Sequence, residues 1–385
     1  MAGMADLFPR DPTDGRTALT DPGPPPRVLA PAPRSRSREI ATAAILSLIC
    51  AGIFFLLLEL TLRIADLAPT HILAYPDQET WSRFPGPFEP GQDFISRVRP
   101  RLSYRVRVDS LGFRGPDFDL RKPAGVYRIL CVGNSRTFGD YVDEEDTFPA
   151  QLEKRLRQES GRSVEVINAG VIGYTITDES DFLREKGFAL QPDAIIVGFA
   201  LNDLAGLTGR TPSRENQRNR ARELSEFRLT PLRRTLRQTA TYNLLAMVKA
   251  SIVGRLGLDP ALQDARIHRL LHPPYDERTD ALFDRYRTVL ALVKEDCEAR
   301  GIRLTLVLFP FYEQVAEGAS VEAQARITEM ASDLGVDVVD LLGSFRKAGA
   351  RAGKLFLIPL DHQPSARGYR LAAASVGRAI AGSIP

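Results

Sequence analysis

The sequence predicts an α/β domain, a three-layer α/β/α sandwich around a mainly parallel β-sheet, preceded by one membrane-spanning helix. Two observations predict this architecture. After residue 122, short runs rich in Val and Ile alternate with segments whose apolar residues recur at helical spacing, which is typical of βαβ units. Near the N-terminus, Ile40–Leu58 carries no charge and, at 1.5 Å per residue, reaches about 28 Å, close to the thickness of a bilayer core.

The N-terminal region divides into a tail and an anchor. Residues 1–38 are rich in Pro, Arg and Ser and predict a disordered cytoplasmic tail, because few apolar side chains offset the entropy of folding. Residues 39–67 predict the anchor, with residues 40–58 in the membrane, since a buried core helix of this length would have a polar face. A cleaved signal peptide is the alternative, but the tail is long and no A-x-A cleavage site follows the helix.

The arginines around this helix predict its orientation. Three of them precede the helix and one directly follows it: Arg34, Arg36, Arg38 and then Arg63. This bias favours a cytoplasmic N-terminus, although further arginines in residues 97–101 argue in the other direction. For a bacterial cell we expect a single-pass inner (cytoplasmic) membrane protein whose catalytic domain is periplasmic or extracellular.

Composition excludes several classes of protein. The chain has 385 residues, of which 44% are hydrophobic and 26% are charged, as in ordinary globular domains. A net charge of +3 is too small to indicate a nucleic-acid partner. Three cysteines do not form a disulfide scaffold or a paired CxxC zinc module, and we predict no metal and no cofactor. Any imidazole chemistry must use one of four histidines: His71, His268, His272 and His362.

The catalytic domain is predicted at residues 123–385, after an irregular lead-in at residues 68–122 that is rich in Pro and Gly. Five apolar runs predict its strands: Tyr127–Val132, Val164–Asn168, Ala194–Phe199, Leu304–Phe309 and Val336–Leu341. Four segments between them predict helices: Phe148–Gln158, Asp178–Ala189, Thr279–Arg300 and Val321–Leu334. Such runs in alternation with helices predict a sheet that is covered on both faces.

A helical insertion is predicted at about residues 204–275, because the fourth strand follows the third only after a long interval. Its first half is rich in arginine: Arg210, Arg214, Arg218, Arg220, Arg222, Arg228, Arg233, Arg234 and Arg237. A basic run of this kind is usually the solvated face of a helix. The alternatives are a surface for anionic lipid or polysaccharide and a site that recruits a partner protein.

Polar residues and glycines follow three successive strands. Ser135 follows the first strand, the stretch Asn168–Tyr174 follows the second with Gly173 in it, and Asn202 follows the third. In open α/β sheets, ligands bind just outside the carboxyl ends of the strands. A serine there can act as a nucleophile, and backbone N–H groups and an asparagine amide can stabilise an oxyanion. Each turn is unremarkable by itself, but three in register predict one site.

The C-terminal stretch from Leu360 to Ala373 places Asp361 beside His362 and ends in a helix. Together these stretches resemble the SGNH (GDSL-type) hydrolase family, with Gly133-Asn134-Ser135-Arg136-Thr137-Phe138-Gly139 as its first block and Ala200-Leu201-Asn202-Asp203 as its third. The resemblance covers about residues 109 to 381 and implies a flavodoxin-like sandwich. It implies Ser135 as the nucleophile, with the Ser135 and Gly173 N–H groups and the Asn202 amide as the oxyanion hole. Among the four histidines, His362 is the expected base, with Asp361 or another acid to orient its imidazole.

Two residues depart from the pattern of the family. Asn134 replaces the aspartate of the Gly-Asp-Ser triplet, which is not a member of the triad. Counted back from Gly368, Gln363 occupies the position of the histidine, and His362 stands one residue early. Glutamine has no useful proton affinity at neutral pH, so it cannot act as a general base. We expect a shift of one residue that lets His362 serve; the alternative is that Gln363 fills the base position.

The function predicted from these residues is that of a membrane-anchored serine esterase, acylhydrolase or O-acyltransferase. It would act on an ester-bearing small molecule, envelope glycan or lipid through a Ser–His(–Asp) mechanism. The alternative is a catalytically silent domain of the same fold that binds a glycan or a partner during envelope assembly, and Gln363 is its main support.

Overall fold

The fold is described from a computed structural model of the chain. The structure describes residues 36–65, 73, 75, 76, 81–99, 102–207, 239–242, 244, 245, 248, 267–348, 353–358 and 361–384. The chain separates into two units, residues 1–54 and 55–385. The predicted disordered tail (apart from its last three residues), the arginines from Arg210 to Arg237 and His71 lie outside the described residues.

The predicted anchor is a single helix, α1 (Arg36–Ala65), which is longer than the charge-free run. Within it, Arg38–Ala65 has a mean hydropathy of 2.6, and its most apolar stretch is not buried against other parts of the chain. By length and composition it is the one helix among the described residues that could cross a membrane. Its exposed side chains include Leu48, Phe54 and Leu56. These side chains are apolar, so contact with the lipid of a bilayer would be more favourable for them than contact with water.

The lead-in contains regular structure that the sequence analysis missed. Strands β1 (Asp93–Arg99) and β2 (Leu102–Arg107) form an antiparallel pair. Arg114, which is 2% exposed, donates from Nη1 to the carbonyls of Phe138 (2.9 Å) and Gly139 (2.6 Å) and from Nη2 to that of Val142 (2.6 Å). These bonds tie the lead-in to the residues that follow the predicted nucleophile.

The sheet has five parallel strands, in the order β4-β3-β5-β6-β7. They are β3 (Tyr127–Gly133), β4 (Val164–Gly170), β5 (Ala194–Phe199), β6 (Arg303–Leu308) and β7 (Asp337–Asp340). This confirms the predicted α/β sandwich with a parallel sheet. The predicted strands agree with these bounds to within about two residues because continuous apolar runs are what a sheet buried on both faces requires.

Helices flank the sheet. The long ones are α3 (Phe148–Ser160), α4 (Ile176–Glu185), α6 (Glu277–Glu298), α8 (Glu322–Asp333) and α10 (Ala366–Ile380). Short helices follow the strands: α2 (Ser135–Phe138), α5 (Leu201–Gly206), α7 (Tyr312–Ala316) and α9 (Leu342–Arg346). The long helices have local start signals; the side chain of Asp276 accepts from Thr279 N at the start of α6, and that of Ser365 accepts from Gly368 N at the start of α10.

Only part of the insertion is described. The backbone N–H groups of Ala240 and Thr241 both donate to the carboxylate of Glu59, each at 2.9 Å, and Ala240 packs against Leu62. A carboxylate at this position satisfies two of the N–H groups that every helix start leaves without intrahelical acceptors.

Candidate active site

Three neighbouring strands end in register at one edge of the sheet. Gly133, the last residue of β3, pairs with Gly170 of β4 on one side and with Gly198 of β5 on the other. Because these strands are parallel, the turns that follow all three lie at the same edge. A Cβ atom at Gly133 or Gly198 would overlap Thr137 Oγ1, so the missing side chains make room for α2 on the strand ends.

Ser135 is the first residue of α2 and is 8% exposed. The preceding Asn134 caps this helix, since its Oδ1 accepts from Arg136 N at 2.8 Å. As the first residue of a helix, Ser135 has a backbone N–H without an intrahelical acceptor. The turn therefore presents the Ser135 hydroxyl and keeps its N–H available as a donor.

Gln363 faces the serine. Its Nε2 donates to Ser135 Oγ at 2.9 Å. Its backbone is held on both sides, because its N–H donates to Asp361 Oδ1 at 3.1 Å and its carbonyl accepts from Leu357 N at 3.0 Å. A bridge between Phe356 and Pro364 fixes the same loop. Of the two alternatives that the sequence left open, the structure brings Ser135 together with Gln363.

His362 has a different partner. Its Nδ1 lies 3.0 Å from Glu313 Oε1, and its side chain is 56% exposed. The expected shift that would pair His362 with Ser135 is not seen, because the bonds of Leu357 and Phe356 to this loop hold residue 363 in register. We expected Asp361 to contact the imidazole of His362, but the acid beside His362 Nδ1 is Glu313. The Asp361 carboxylate accepts the backbone N–H of Gln363. That His362 takes the serine proton stays a prediction.

The two other predicted oxyanion donors lie on the turns after β4 and β5. Asn202 is in the first turn of α5, and its Oδ1 accepts from Arg136 Nη1 at 2.8 Å. Gly173 is exposed in a turn closed by the bond from Tyr174 N to Val171 O, at a φ of +84° that favours glycine. The backbone N–H of Gly173 has no partner among the residues that the structure describes.

Comparisons with known proteins agree with this geometry. The model of the GDSL-like lipase/acylhydrolase family matches residues 131–371. The chain belongs to this family. Its members are serine hydrolases that cleave ester bonds, and the matched region holds Ser135, the turns of Gly173 and Asn202 and the loop of Gln363. No curated protein matches the chain.

The chain is also similar to solved structures of bacterial proteins. A lipase/acylhydrolase from Enterococcus faecalis is 14% identical with a TM-score of 0.40, over 66% of this chain and 96% of that one. A catalytic mutant of an acetylxylan esterase from Geobacillus stearothermophilus is 14% identical with a TM-score of 0.39, over 66% and 94%. At these identities and scores the likeness carries no information on the substrate of this GDSL-like domain.

The first departure from the family pattern has a partner in the structure. Asn134 Nδ2 donates to Asp203 Oδ1 at 2.6 Å, and Asp203 Oδ2 accepts from Ala200 N at 2.8 Å. Burial raises the pKa of Asp203 to about 7, against the opposing effects of these donors and of Arg136. An aspartate at position 134 would set two buried carboxyl groups against each other, whereas the amide donates.

A second buried acid lies in the same region. Glu179 is fully buried in α4, and burial together with the charges of Asp203 and Asp178 raises its pKa well above the ordinary range. Its Oε1 has no partner among the described residues. Burial and the neighbouring carboxylates therefore both favour the neutral form of Glu179 over the charged form.

Sequence reasoning missed two side chains of the GDSL-like site, Arg136 and Glu313. Arg136 directly follows Ser135, so the motif alone could have pointed to it. Glu313 lies in α7, which starts just after β6. The only signal for it in the sequence is this position after a strand, because ligands bind beyond the carboxyl ends of the strands. Among the described residues, no group of three or more His, Cys, Asp or Glu side chains could hold a metal ion.

Proposed function

We propose that the protein is a membrane-anchored serine esterase or O-acyltransferase that acts on an ester-bearing envelope glycan or lipid. The observation that carries this proposal is the position of Ser135 at the carboxyl end of β3, with the turns of Gly173 and Asn202 at the same edge. The hydroxyl, two backbone N–H groups and one amide are what an acyl transfer needs around the reacting carbonyl.

In this mechanism the Ser135 Oγ attacks the ester carbonyl, and its proton leaves as the new C–O bond forms. The oxyanion of the tetrahedral intermediate accepts from the N–H groups of Ser135 and Gly173 and from the Asn202 amide. The alcohol then departs with a proton and leaves an acyl-enzyme. Water or a sugar hydroxyl attacks this ester and releases Ser135, which gives hydrolysis or transfer respectively.

We assign the proton of the serine to His362. Glu313 holds Nδ1 of this ring, which leaves Nε2 as the acceptor, the same division of labour that an acid and a histidine have in a catalytic triad. Gln363 cannot take this proton, because an amide has no useful proton affinity at neutral pH, so its hydrogen bond to Ser135 Oγ is not part of the proton transfer. Because His362 does not contact Ser135 Oγ directly, we expect the acylation step to be slow.

The second candidate is a catalytically silent domain that binds an ester or glycan at this site. One observation favours it: the hydrogen bond between Gln363 Nε2 and Ser135 Oγ occupies the place where the family has its base. Such a domain would bind acylated ligands without releasing their acyl group.

The experiment uses the full chain in detergent micelles, with a fluorophosphonate probe and p-nitrophenyl acetate. We expect labelling and turnover that are absent in Ser135→Ala and strongly reduced in His362→Ala, while Gln363→Ala retains both. No labelling of the folded wild-type protein would support the silent domain instead. Loss of activity in Gln363→Ala with full activity in His362→Ala would contradict the base assignment.

The orientation in the membrane has its own test. A membrane-impermeant maleimide is applied to intact spheroplasts that carry a single new cysteine, either Lys347→Cys in the catalytic domain or Thr13→Cys in the tail. We expect only the first to be labelled, because the arginines before α1 favour a cytoplasmic N-terminus. Labelling of Thr13→Cys alone would show the opposite orientation. Release of the protein from the membrane by alkaline carbonate would contradict the proposal that α1 is a membrane anchor.

A further inference from the structure

Arg136 is a buried cation beside the nucleophile. It is 2% exposed, and its guanidinium stacks on the ring of Phe311, 4.2 Å from the ring centre. The charges of Asp203, Asp361 and Glu313 act on it, but no carboxylate among the described residues forms a direct ion pair with it, and its Nε has no hydrogen-bond partner there. Burying a charge without a direct counter-ion is costly, so this side chain is not explained by stability alone.

The guanidinium determines which end of the Asn202 amide faces the site. Arginine has donors and no acceptor, so the atom 2.8 Å from its Nη1 must be the Asn202 carbonyl oxygen. The amide of Asn134 approaches the same oxygen at 3.5 Å, too far to fix it alone. With Oδ1 engaged by Arg136, the NH₂ group of Asn202 is directed to the other side.

We propose that Arg136 is a positioning residue for acyl transfer, because it holds the Asn202 amide with its donor end toward the oxyanion. This inference rests on the proposed function in that Asn202 serves as an oxyanion donor. The positive charge also polarises the Asn202 amide through the hydrogen bond to its oxygen, which strengthens the donor at its other end. The role requires a planar group that stacks on Phe311 and at the same time donates a hydrogen bond to Asn202 Oδ1. The guanidinium of arginine can do both, and the ammonium of lysine cannot.

The test compares Arg136→Met and Arg136→Lys with Arg128→Met. Arg128 is a matched control because it is also a fully buried arginine. It lies in β3 at the end of the strand away from Ser135, and it pairs with Glu165. Thermal unfolding of all variants separates loss of stability from loss of positioning.

The first measurement does not depend on catalysis. The chain contains six asparagines, so asparagine-selective ¹⁵N labelling of the full chain in micelles gives few side-chain amide signals. The Asn202 signal is identified by its loss in Asn202→Ala. We expect this signal to shift and broaden in Arg136→Met and to stay in place in Arg128→Met. An unmoved Asn202 signal in a folded Arg136→Met protein would overturn the proposal.

The second measurement is a double-mutant cycle on the affinity for a phenylboronic acid, which forms a tetrahedral adduct with a serine oxygen. We expect Arg136→Met to weaken binding about tenfold or more, since loss of one oxyanion donor costs about 10²–10³ in kcat. In an Asn202→Ala background the same change should add nothing, and losses that multiply would contradict the role of Arg136. Binding that is equal in wild type and Ser135→Ala refutes the proposed function alone, and the amide signal still decides the role of Arg136.

Discussion

Replacing Gln363 by histidine places an imidazole against the nucleophile. In both side chains the terminal nitrogen is three bonds from Cβ, so Nε2 of the new ring falls close to the amide nitrogen, which lies 2.9 Å from Ser135 Oγ. This distance is within the reach of about 2.6–3.2 Å that a general base needs. Asp361 already contacts the backbone of residue 363 at 3.1 Å and is the nearest acid along the chain to orient such a ring.

The expected gain follows from the chemistry of proton removal. A positioned general base contributes about 10²–10⁴ in rate. At 1.36 kcal/mol per factor of ten, this corresponds to about 3–5 kcal/mol of barrier. Gln363→His should therefore raise kcat/KM for p-nitrophenyl acetate by about two to four orders of magnitude over the wild type, because the residues that the structure describes place an amide, and no base, in contact with Ser135 Oγ.

The assay compares full-length proteins in micelles, by ester turnover and by the rate of fluorophosphonate labelling. Gln363→Asn is the matched control, because it keeps the amide and adds no proton acceptor, and the double variant with Ser135→Ala shows that the gain passes through the serine. A folded Gln363→His protein that labels and hydrolyses no faster than wild type would refute the argument that residue 363 occupies the base position.

Three further predictions follow from contacts in and below the site. Glu313→Gln should lower ester turnover about as much as His362→Ala, measured as kcat/KM, because the ring loses the acid on its Nδ1; unchanged turnover would leave Glu313 without a role. Burial raises the pKa of Asp203 to about 7 in the fold, above its unfolded value, so its contribution to stability is fully present below about pH 4 and is lost as pH rises through 7. Thermal unfolding at pH 5 and 8 should show this slope in wild type and a flatter one in Asp203→Asn. Gly198→Ala should destabilise the domain by about 1–3 kcal/mol through overlap with Thr137, and the double variant with Thr137→Ala should recover part of it in urea unfolding.

Most of the sheet could be predicted because each strand is buried on both faces and is therefore written as a continuous apolar run, as in Tyr127–Gly133. The hairpin β1–β2 was missed although Tyr104, Val106 and Val108 alternate with polar residues in the sequence. Its short strands and flanking Pro and Gly residues were interpreted as loop. A two-stranded pair has one buried face, so its pattern is weaker.

The sequence predicted those site residues that directly follow the ends of strands. Ser135 and Asn202 follow strands, and their meeting follows from a parallel sheet. The choice between His362 and Gln363 depends on the conformation of one loop, which the pairing of Phe356 with Pro364 fixes from outside the motif. Glu313 is distant from this loop in the chain, so no local pattern pointed to its contact with His362.

Arg114 binds three carbonyls in the turn after Ser135, and these bonds limit where such a chain can be joined to another. The family match begins at residue 131, yet the donor for the turn after Ser135 lies upstream of it. A gene fusion joined at that boundary would remove these three bonds. Phe138 O would keep its bond from Asn168 Nδ2 and Gly139 O its bond from Val142 N, whereas Val142 O would lose its donor, at about 1–3 kcal/mol. Replacement of the N-terminal helix α1 should therefore preserve the segment from about Trp81 to Arg114, so the unit that has to be kept together is longer than the segment that the family model matches.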